Sequence, residues 1–351
     1  MTEGDDRKFM LRCIELASRA EGSTYPNPLV GSVIVHDGTI IGEGYHLKAG
    51  GPHAEVVAID SVREQSFLER STLYVNLEPC SHFGKTPPCV DLIISRHIPR
   101  VVAGTIDTSD KVSGKGIAKL KEAGIKVITG VAEDECRRIN RRFFSFYEKK
   151  RPYITLKWAQ SADGFIDRVR AEETKPEPFW ISGKPERVLV HRWRASEQAI
   201  LVGAGTVRVD DPRLDVREWK GNNPLRIILS GEGNLPKDLI MKESIGSTVI
   251  FTFFPERISF QGAVTVKLNG SQKAAEQILD YLWKWGIQSL FIEGGATVLD
   301  HFIRTGYWDE ARIFYGKKDF GNGIKAPEIK GTIFSKTEYS GSRLEILLNN
   351  G

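Results

Sequence analysis

Apolar residues recur at roughly helical spacing through Phe9, Leu11, Cys13, Ile14, Leu16 and Ala17, behind an acidic first turn, and predict an amphipathic opening helix. The period then shortens to that of strands. Residues 30–36 and Thr39–Tyr45 are β-rich runs separated by Asp37-Gly38, a two-residue turn whose glycine permits positive φ, so they predict a hairpin. From there the pattern alternates, with a helix over about 53–62, a strand over 72–76, a helix after Pro87-Pro88 and a strand over 100–104. A helix near 117–123 and a short strand Lys126–Thr129 follow. Such alternation implies an α/β sheet covered on both faces. Phe143, Phe144, Phe146 and Tyr147, set among Arg137, Arg138, Arg141, Arg142 and Lys149-Lys150-Arg151, read as one last helix with aromatics inward and arginines solvated, ending in a linker at Pro152. The same basic, aromatic stretch read as a surface would suit RNA, but the helical period of its charges favours the plain helix.

The second half opens on residues 153–164, a buried strand entering an Asp163-Gly164 turn. A helix over 186–197 carries Val188, Leu189, His191, Trp193 and Arg194 and leads into the strand Ala199–Gly203. Gly205-Thr206 then stands at a strand-to-helix corner, where backbone N–H groups can face a phosphate or simply make a turn. A stronger feature is the apolar run Leu290-Phe291-Ile292, which ends in Glu293-Gly294-Gly295 and opens a helix. Two glycines there let the backbone approach a pyrophosphate, and the helix start favours its charge. The spacing is not G-x-G-x-x-G, so a Rossmann domain is not expected.

Composition adds bounds rather than detail. With 351 residues, 40% hydrophobic and 27% charged, the chain is long enough for two cores, and the pattern divides it into domains at 1–147 and 151–351. The acidic N-terminus lacks an apolar leader, and no apolar run approaches the roughly 18 residues of a membrane span. A cytoplasmic protein without membrane partners is therefore expected. Four cysteines are too few for a disulfide scaffold of this size. A net charge of +4 is too small to suggest a nucleic-acid binder, although it suits anionic phosphate substrates.

The residues with most chemistry are His53-Ala54-Glu55, Cys80 after Glu78-Pro79, and Cys89 after Pro87-Pro88. One His and two Cys are the right count for a catalytic zinc site, which keeps a fourth position for water. Glu55, two residues from His53, is placed to take that water's proton and pass it to a leaving amine. This H-x-E…P-C pattern is that of the zinc deaminases. Nucleic-acid-editing members usually carry C-x-x-C, whereas eight residues separate Cys80 from Cys89 here and suggest a substrate-contacting loop. Asn27, between two prolines, offers donor and acceptor in one plane to a pyrimidine edge, or serves as a turn residue. His46 and His82 flank the metal loop and are candidates for substrate phosphate, as is Lys85 on its Gly84-bounded loop.

Tyr25-Pro26-Asn27-Pro28-Leu29-Val30-Gly31, Gly44-Tyr45-His46, Gly50-Gly51-Pro52-His53-Ala54-Glu55 and the stretch from Glu78 to Cys89 resemble the bifunctional riboflavin-biosynthesis deaminase-reductases. The resemblance extends over nearly the whole chain. It implies a cytidine-deaminase-like three-layer α/β domain followed by a dihydrofolate-reductase-like domain. It also implies zinc-dependent deamination of 2,5-diamino-6-(5-phosphoribosylamino)pyrimidin-4-one, then reduction of the product's ribosyl group by NADPH. By family position Asn27, His46, Lys85 and Asp107 would touch substrate in the first site, and Arg194, Leu214, Arg217 and Glu293 would touch the ribosyl phosphate in the second. NADPH would meet Ala159, Trp180, Thr206, Asp210, Ser230, Gly295, Ala296, Thr297, Val298, Leu299, Asp300 and His301.

Two departures from the family stand out. Ser109 replaces a substrate-binding Asn, and Pro178, which has no N–H to donate, replaces a Ser two residues before Trp180. Two other readings remain: an RNA-acting deaminase whose C-terminal half grips nucleic acid, and a deaminase whose reductase-like half is structural. Assembly into a homo-oligomer is left open by the sequence.

Overall fold

The computed structural model describes residues 3–83, 87–109, 113–169, 180–236, 239, 247–260 and 262–351. Lys85 and Pro178, singled out above, lie outside the described residues. The chain forms two compact units, Met1–Lys149 and Lys150–Gly351.

The first unit is built on α1 (Glu3–Ser18), the hairpin strands β1 (Gly31–His36) and β2 (Thr39–Tyr45), α2 (Ala54–Asp60) and β3 (Thr72–Val75). It continues with α3 (Cys89–Ser95), β4 (Arg100–Ala103), α4 (Lys115–Glu122), β5 (Lys126–Thr129), α5 (Glu133–Ile139) and α6 (Arg141–Glu148). Its sheet runs β2-β1-β3-β4-β5; β1 is antiparallel to both neighbours, and β3, β4 and β5 are parallel. Side chains alternate across a pleated strand, and the core divides accordingly. Val33, Val35, Tyr74 and Val102 pack under Phe9, Met10 and Cys13 of α1, and Ile34, Leu73, Val75 and Val101 pack under Ala58, Val90, Ile93 and Leu120 of α2 to α4. Three layers result.

One expectation fails at the end of this unit. The basic, aromatic stretch is two short helices, broken at Asn140, because that buried side chain is engaged elsewhere: its Oδ1 accepts from Leu29 N–H at 2.8 Å and its Nδ2 donates to Leu29 O at 2.9 Å. Nor are all its arginines solvated. Arg142 is buried and paired with Glu21 at 3.1 Å, while Phe143 and Phe144 are buried and Tyr147 is exposed.

The second unit contains β6 (Tyr153–Gln160), β7 (Phe165–Asp167), α7 (Lys184–Ser196), β8 (Ala199–Gly203), α8 (Ala204–Asp210), β9 (Leu225–Leu229), β10 (Thr248–Thr252) and β11 (Val264–Lys267). It ends with α9 (Ala274–Lys284), β12 (Ser289–Ile292), α10 (Ala296–Arg304), β13 (Glu310–Gly316), β14 (Ile324–Lys325), β15 (Thr332–Glu338) and β16 (Ser342–Leu348). Nine strands form one sheet in the order β11-β10-β9-β8-β12-β6-β13-β16-β15, parallel from β11 to β13 and antiparallel beyond. The central strands are apolar on both faces, as a doubly covered parallel sheet requires. Leu290 and Ile292 face α9 and α10, while Phe291 faces the α7 side with Val190 and Phe314. Ligands of such sheets gather beyond the strand C-terminal ends, where Gly203, Ser230 and Glu293 fall. Among the described residues, no helix is long and apolar enough to cross a membrane.

Candidate active sites

In the first unit, β3 delivers Leu77-Glu78-Pro79-Cys80 past its C-terminal end, where α2 and α3 begin. His53 stands at the N-cap of α2, Glu55 lies in that helix's first turn, and Cys89 opens α3. His53 Nδ1 is 3.2 Å from Cys89 Sγ and 3.4 Å from Cys80 Sγ, and the three donor atoms lie within 4.8 Å of one another. The start of α3 also fixes Cys80, because Cys89 N–H donates to its sulfur at 3.3 Å and Val90 N–H to its carbonyl at 3.2 Å.

Charge follows from these contacts. A hydrogen bond from Cys89 lowers the Cys80 thiol, and the same bond, together with burial, raises Cys89. Glu55 is buried beside both cysteines, and burial first, then the charge of Cys80, pushes its carboxyl up to about 7. A carboxyl of that affinity can both accept and release a proton near neutral pH.

The surroundings are ordered by residues that sequence reasoning gave other roles or none. Glu78 is buried and accepts from four backbone N–H groups, of Asp107 at 3.2 Å, Gly114 at 2.9 Å, Gly116 at 2.8 Å and Ile117 at 3.2 Å. It ties the cysteine loop to the segment beyond β4 and to α4. A carboxylate inside a strand-ending motif is the one signal that marked it. Asp107 is buried, and its Oδ1 accepts from Ser109 N–H at 2.7 Å, so Ser109 orders the carboxylate. Burial raises the Asp107 pKa, and its bonds from Ser109 oppose the shift. His46 Nδ1 is 2.8 Å from Pro52 O, which only a donor can satisfy, so Nε2 is the acceptor of the Asn27 Nδ2 bond at 3.0 Å. Burial lowers the His46 pKa and favours this neutral ring.

In the second unit, two cavities meet at the ends of β8 and β12. The first, of about 470 Å³, is lined by Lys157, Arg194, Leu214, Arg217 and Glu293, and by Ala159, Trp180, Thr206, Asp210, Gly295, Ala296, Thr297 and Leu299. The second, of about 490 Å³, holds Ser230, Val298 and His301 and shares Gly205, Thr206, Gly295 and Thr297 with the first. Asp300 lines neither. It falls on the outward side of α10 and pairs with Arg304 one turn on, at 2.8 Å.

The charged floor of the first cavity is tightly coupled. Arg194 holds Glu293 through two bonds of 2.6 and 2.8 Å, donates to Asp215 O at 3.1 Å, and Lys157 Nζ stands 3.9 Å from Glu293. Burial by itself would raise the Glu293 carboxyl, but the charges of Arg194 and Lys157 bring it down to about 2. Arg217 is paired with Asp215 at 2.6 Å, and its backbone N–H donates to His191 Nδ1 at 3.3 Å. Burial pushes His191 down to about 4. Sequence reasoning gave no site role to Lys157, Asp215 or His191, although a lysine amid Thr155, Leu156 and Trp158 on a buried strand was a visible signal.

Comparison with known proteins bears on both units. Residues 3–105 match the cytidine and deoxycytidylate deaminase zinc-binding region, and residues 152–340 match the RibD C-terminal domain. The chain is 39% identical over 330 residues to the riboflavin biosynthesis protein RibD of Aquifex aeolicus, covering 92% of this chain and 90% of the relative. It is 34% identical over 337 residues to RibD of Escherichia coli, covering 91% and 90%. The chain belongs to the RibD family. Among RibD structures, that of the Thermotoga maritima diaminohydroxyphosphoribosylaminopyrimidine deaminase/5-amino-6-(5-phosphoribosylamino)uracil reductase superimposes with a TM-score of 0.89 at 37% identity, covering 99% of each chain. Acinetobacter baumannii RibD does so with a TM-score of 0.88 at 31% identity, over 100% of each.

As a RibD protein, the chain is a bifunctional deaminase and reductase of riboflavin biosynthesis, with Zn²⁺ and NADPH as cofactors. The residues present fit both groups. Tetrahedral zinc with bonds of roughly 2.3 Å to sulfur and 2.0 Å to nitrogen holds the two about 3.5 Å apart, close to the 3.2 and 3.4 Å found from His53 to the cysteines. In the second unit, a Cβ added to Gly295 would stand 3.1 Å from Thr206 Oγ1, so glycine keeps clear a passage that a side chain would fill.

Proposed function

We propose that His53, Cys80 and Cys89 hold the zinc and that Glu55 moves the protons of deamination, acting on 2,5-diamino-6-(5-phosphoribosylamino)pyrimidin-4-one. The observation that carries this reading is the convergence of three ligand atoms and one buried carboxyl on the ends of β3, α2 and α3. Zinc, when bound, supplies a water that ionises near neutral pH. Glu55 takes the water's proton and delivers it to the departing amine as ammonia forms. Asn27, held by His46, presents its amide to the pyrimidine edge, and Asp107, ordered by Ser109, faces the same substrate. Lys85 is assigned to the ribose phosphate by its chemistry.

In the second unit, Arg217 and Leu214 border the ribosyl phosphate. The Arg194–Glu293 pair and Lys157 form the cavity floor beneath the sugar. NADPH, when bound along Ala159, Trp180, Thr206, Asp210 and the segment from Gly295 to Leu299, supplies a hydride to C1 of the ring-opened ribosyl group. The chain's share is to align the two partners and to exclude water. A cytoplasmic location is part of the same reading, given substrates and cofactors of that compartment.

The test gives zinc-loaded protein the diaminopyrimidine phosphoriboside and follows ammonia and NADPH absorbance together. Appearance of both supports the two-site reading. Ammonia without NADPH oxidation would leave the second unit a structural role, and salt-sensitive RNA binding without either would favour an RNA-acting enzyme.

A further inference from the structure

We propose that Arg208, together with the Ser230 hydroxyl, forms the subsite for the 2′-phosphate of NADPH and thereby sets the preference for NADPH over NADH. The proposal rests on the reading of the second unit as an NADPH-dependent reductase and goes beyond it by assigning the residues that distinguish the two nicotinamide cofactors.

The two cavities share a wall made of Gly205, Thr206, Gly295 and Thr297. A dinucleotide crossing that wall has its pyrophosphate at the glycines and one nucleoside on either side. The nicotinamide must lie in the cavity that holds Lys157, Arg194 and Glu293, where the sugar is reduced. Its adenosine half therefore falls in the other cavity, beside Ser230.

Among the described residues lining that second cavity, Arg208 is the one lysine or arginine, and it does not line the first. It projects from the last turn of α8, and its Nη1 donates to Asn234 O at 2.9 Å, on the loop that follows Ser230. This contact anchors the guanidinium and uses one of five N–H donors. No carboxylate of the described residues pairs with it. Ser230 is 1% exposed, and its backbone is fixed by bonds from its N–H to Phe251 O at 2.9 Å and from Gly233 N–H to its carbonyl at 3.1 Å. Its hydroxyl has no protein partner among the described residues. A buried hydroxyl on a fixed backbone and an anchored guanidinium with open donors thus border the adenosine side of the shared wall.

A ribose 2′-phosphate monoester carries close to two negative charges at neutral pH and offers three acceptor oxygens. A planar guanidinium matches it, and arginine serves this purpose in other dinucleotide sites. NADH has only a hydroxyl at that position, which an acidic side chain commonly binds. Glu232, exposed on the same rim, is the residue that would play that opposing part.

Titration calorimetry of the full chain with NADPH, NADH, adenosine 2′,5′-bisphosphate and adenosine 5′-monophosphate tests the assignment. Arg208→Ala should weaken NADPH and the bisphosphate by about 10- to 100-fold. It should leave NADH and the monophosphate within about twofold, and Arg208→Lys should recover part of the loss by restoring the charge without the fork. Glu232→Gln should leave the ratio of NADPH to NADH affinity within about twofold, well short of a tenfold discrimination. Equal losses for both cofactors in Arg208→Ala would place the guanidinium on the pyrophosphate and overturn the assignment, as would no loss, or control of the ratio by Glu232. If the unaltered chain binds neither cofactor, the reductase reading itself falls, and the assignment with it.

Discussion

Burial of Glu55 against Cys80 and Cys89 gives one carboxyl a proton affinity that its exposed counterparts lack, and the amide isostere tests its use. Glu55→Gln should retain zinc, measured by metal analysis, and lose ammonia release by at least about 100-fold. Normal turnover in that variant would sink the role. A second residue-scale prediction concerns His191, whose pKa is depressed to about 4 from an ordinary 6.5. The unfolded chain then binds more protons than the folded one between those values. Stability from this group is complete above pH 6.5 and is lost as pH falls from 6.5 toward 4. His191→Gln should flatten the fall in thermal midpoint over that window while leaving the neutral-pH acceptor for Arg217 in place. Glu293 acts lower on the scale: its contribution is present above 4.5 and disappears as pH falls toward 2.

At the scale of elements, the cysteine loop is held by Glu78, whose two carboxylate oxygens take four backbone donors. Glu78→Gln replaces one acceptor oxygen by a donor and leaves buried N–H groups unsatisfied, which costs roughly 1–3 kcal/mol each. The expected result is weaker zinc retention under chelator challenge, with Cys80 and Cys89 unchanged; undiminished retention would remove Glu78 from the site's support. The hairpin at Asp37-Gly38 and the strand-helix alternation were legible because turn residues and hydrophobic period are local signals. The break at Asn140 was not. It depends on Leu29, 111 residues away in sequence, and no period within 137–147 carries that information. The grouping of His53, Cys80 and Cys89 was legible for a related reason, since their residue types are rare and their chemistry is narrow. The Lys157–Glu293–Arg194 cluster was legible only in fragments, because pairing of β6 with β12 and packing of α7 bring it together.

At the scale of the whole molecule, two compact units have separate cores, and the deaminase zinc-binding region matches the first and the RibD C-terminal domain the second. Cys80→Ser should abolish ammonia release and leave NADPH oxidation intact when the deaminated product is supplied directly. Conversely, Glu293→Gln should leave ammonia release unaltered and depress reduction, with a loss of stability of about 3–5 kcal/mol because Arg194 and Lys157 lose a buried counter-charge. Denaturation followed by near-ultraviolet circular dichroism reads the second effect, and a shared loss of both activities in either variant would contradict this independence.

The wall of Gly205, Thr206, Gly295 and Thr297 that the two adjoining cavities share has a consequence for inhibition. A compound filling the adenosine side and reaching that wall would block the dinucleotide without touching the sugar's ground. Its kinetics should be competitive toward the coenzyme and not competitive toward the phosphorylated substrate. Extending such a compound past Gly295 would convert it into a bisubstrate ligand, gaining contacts on both sides of one backbone ridge.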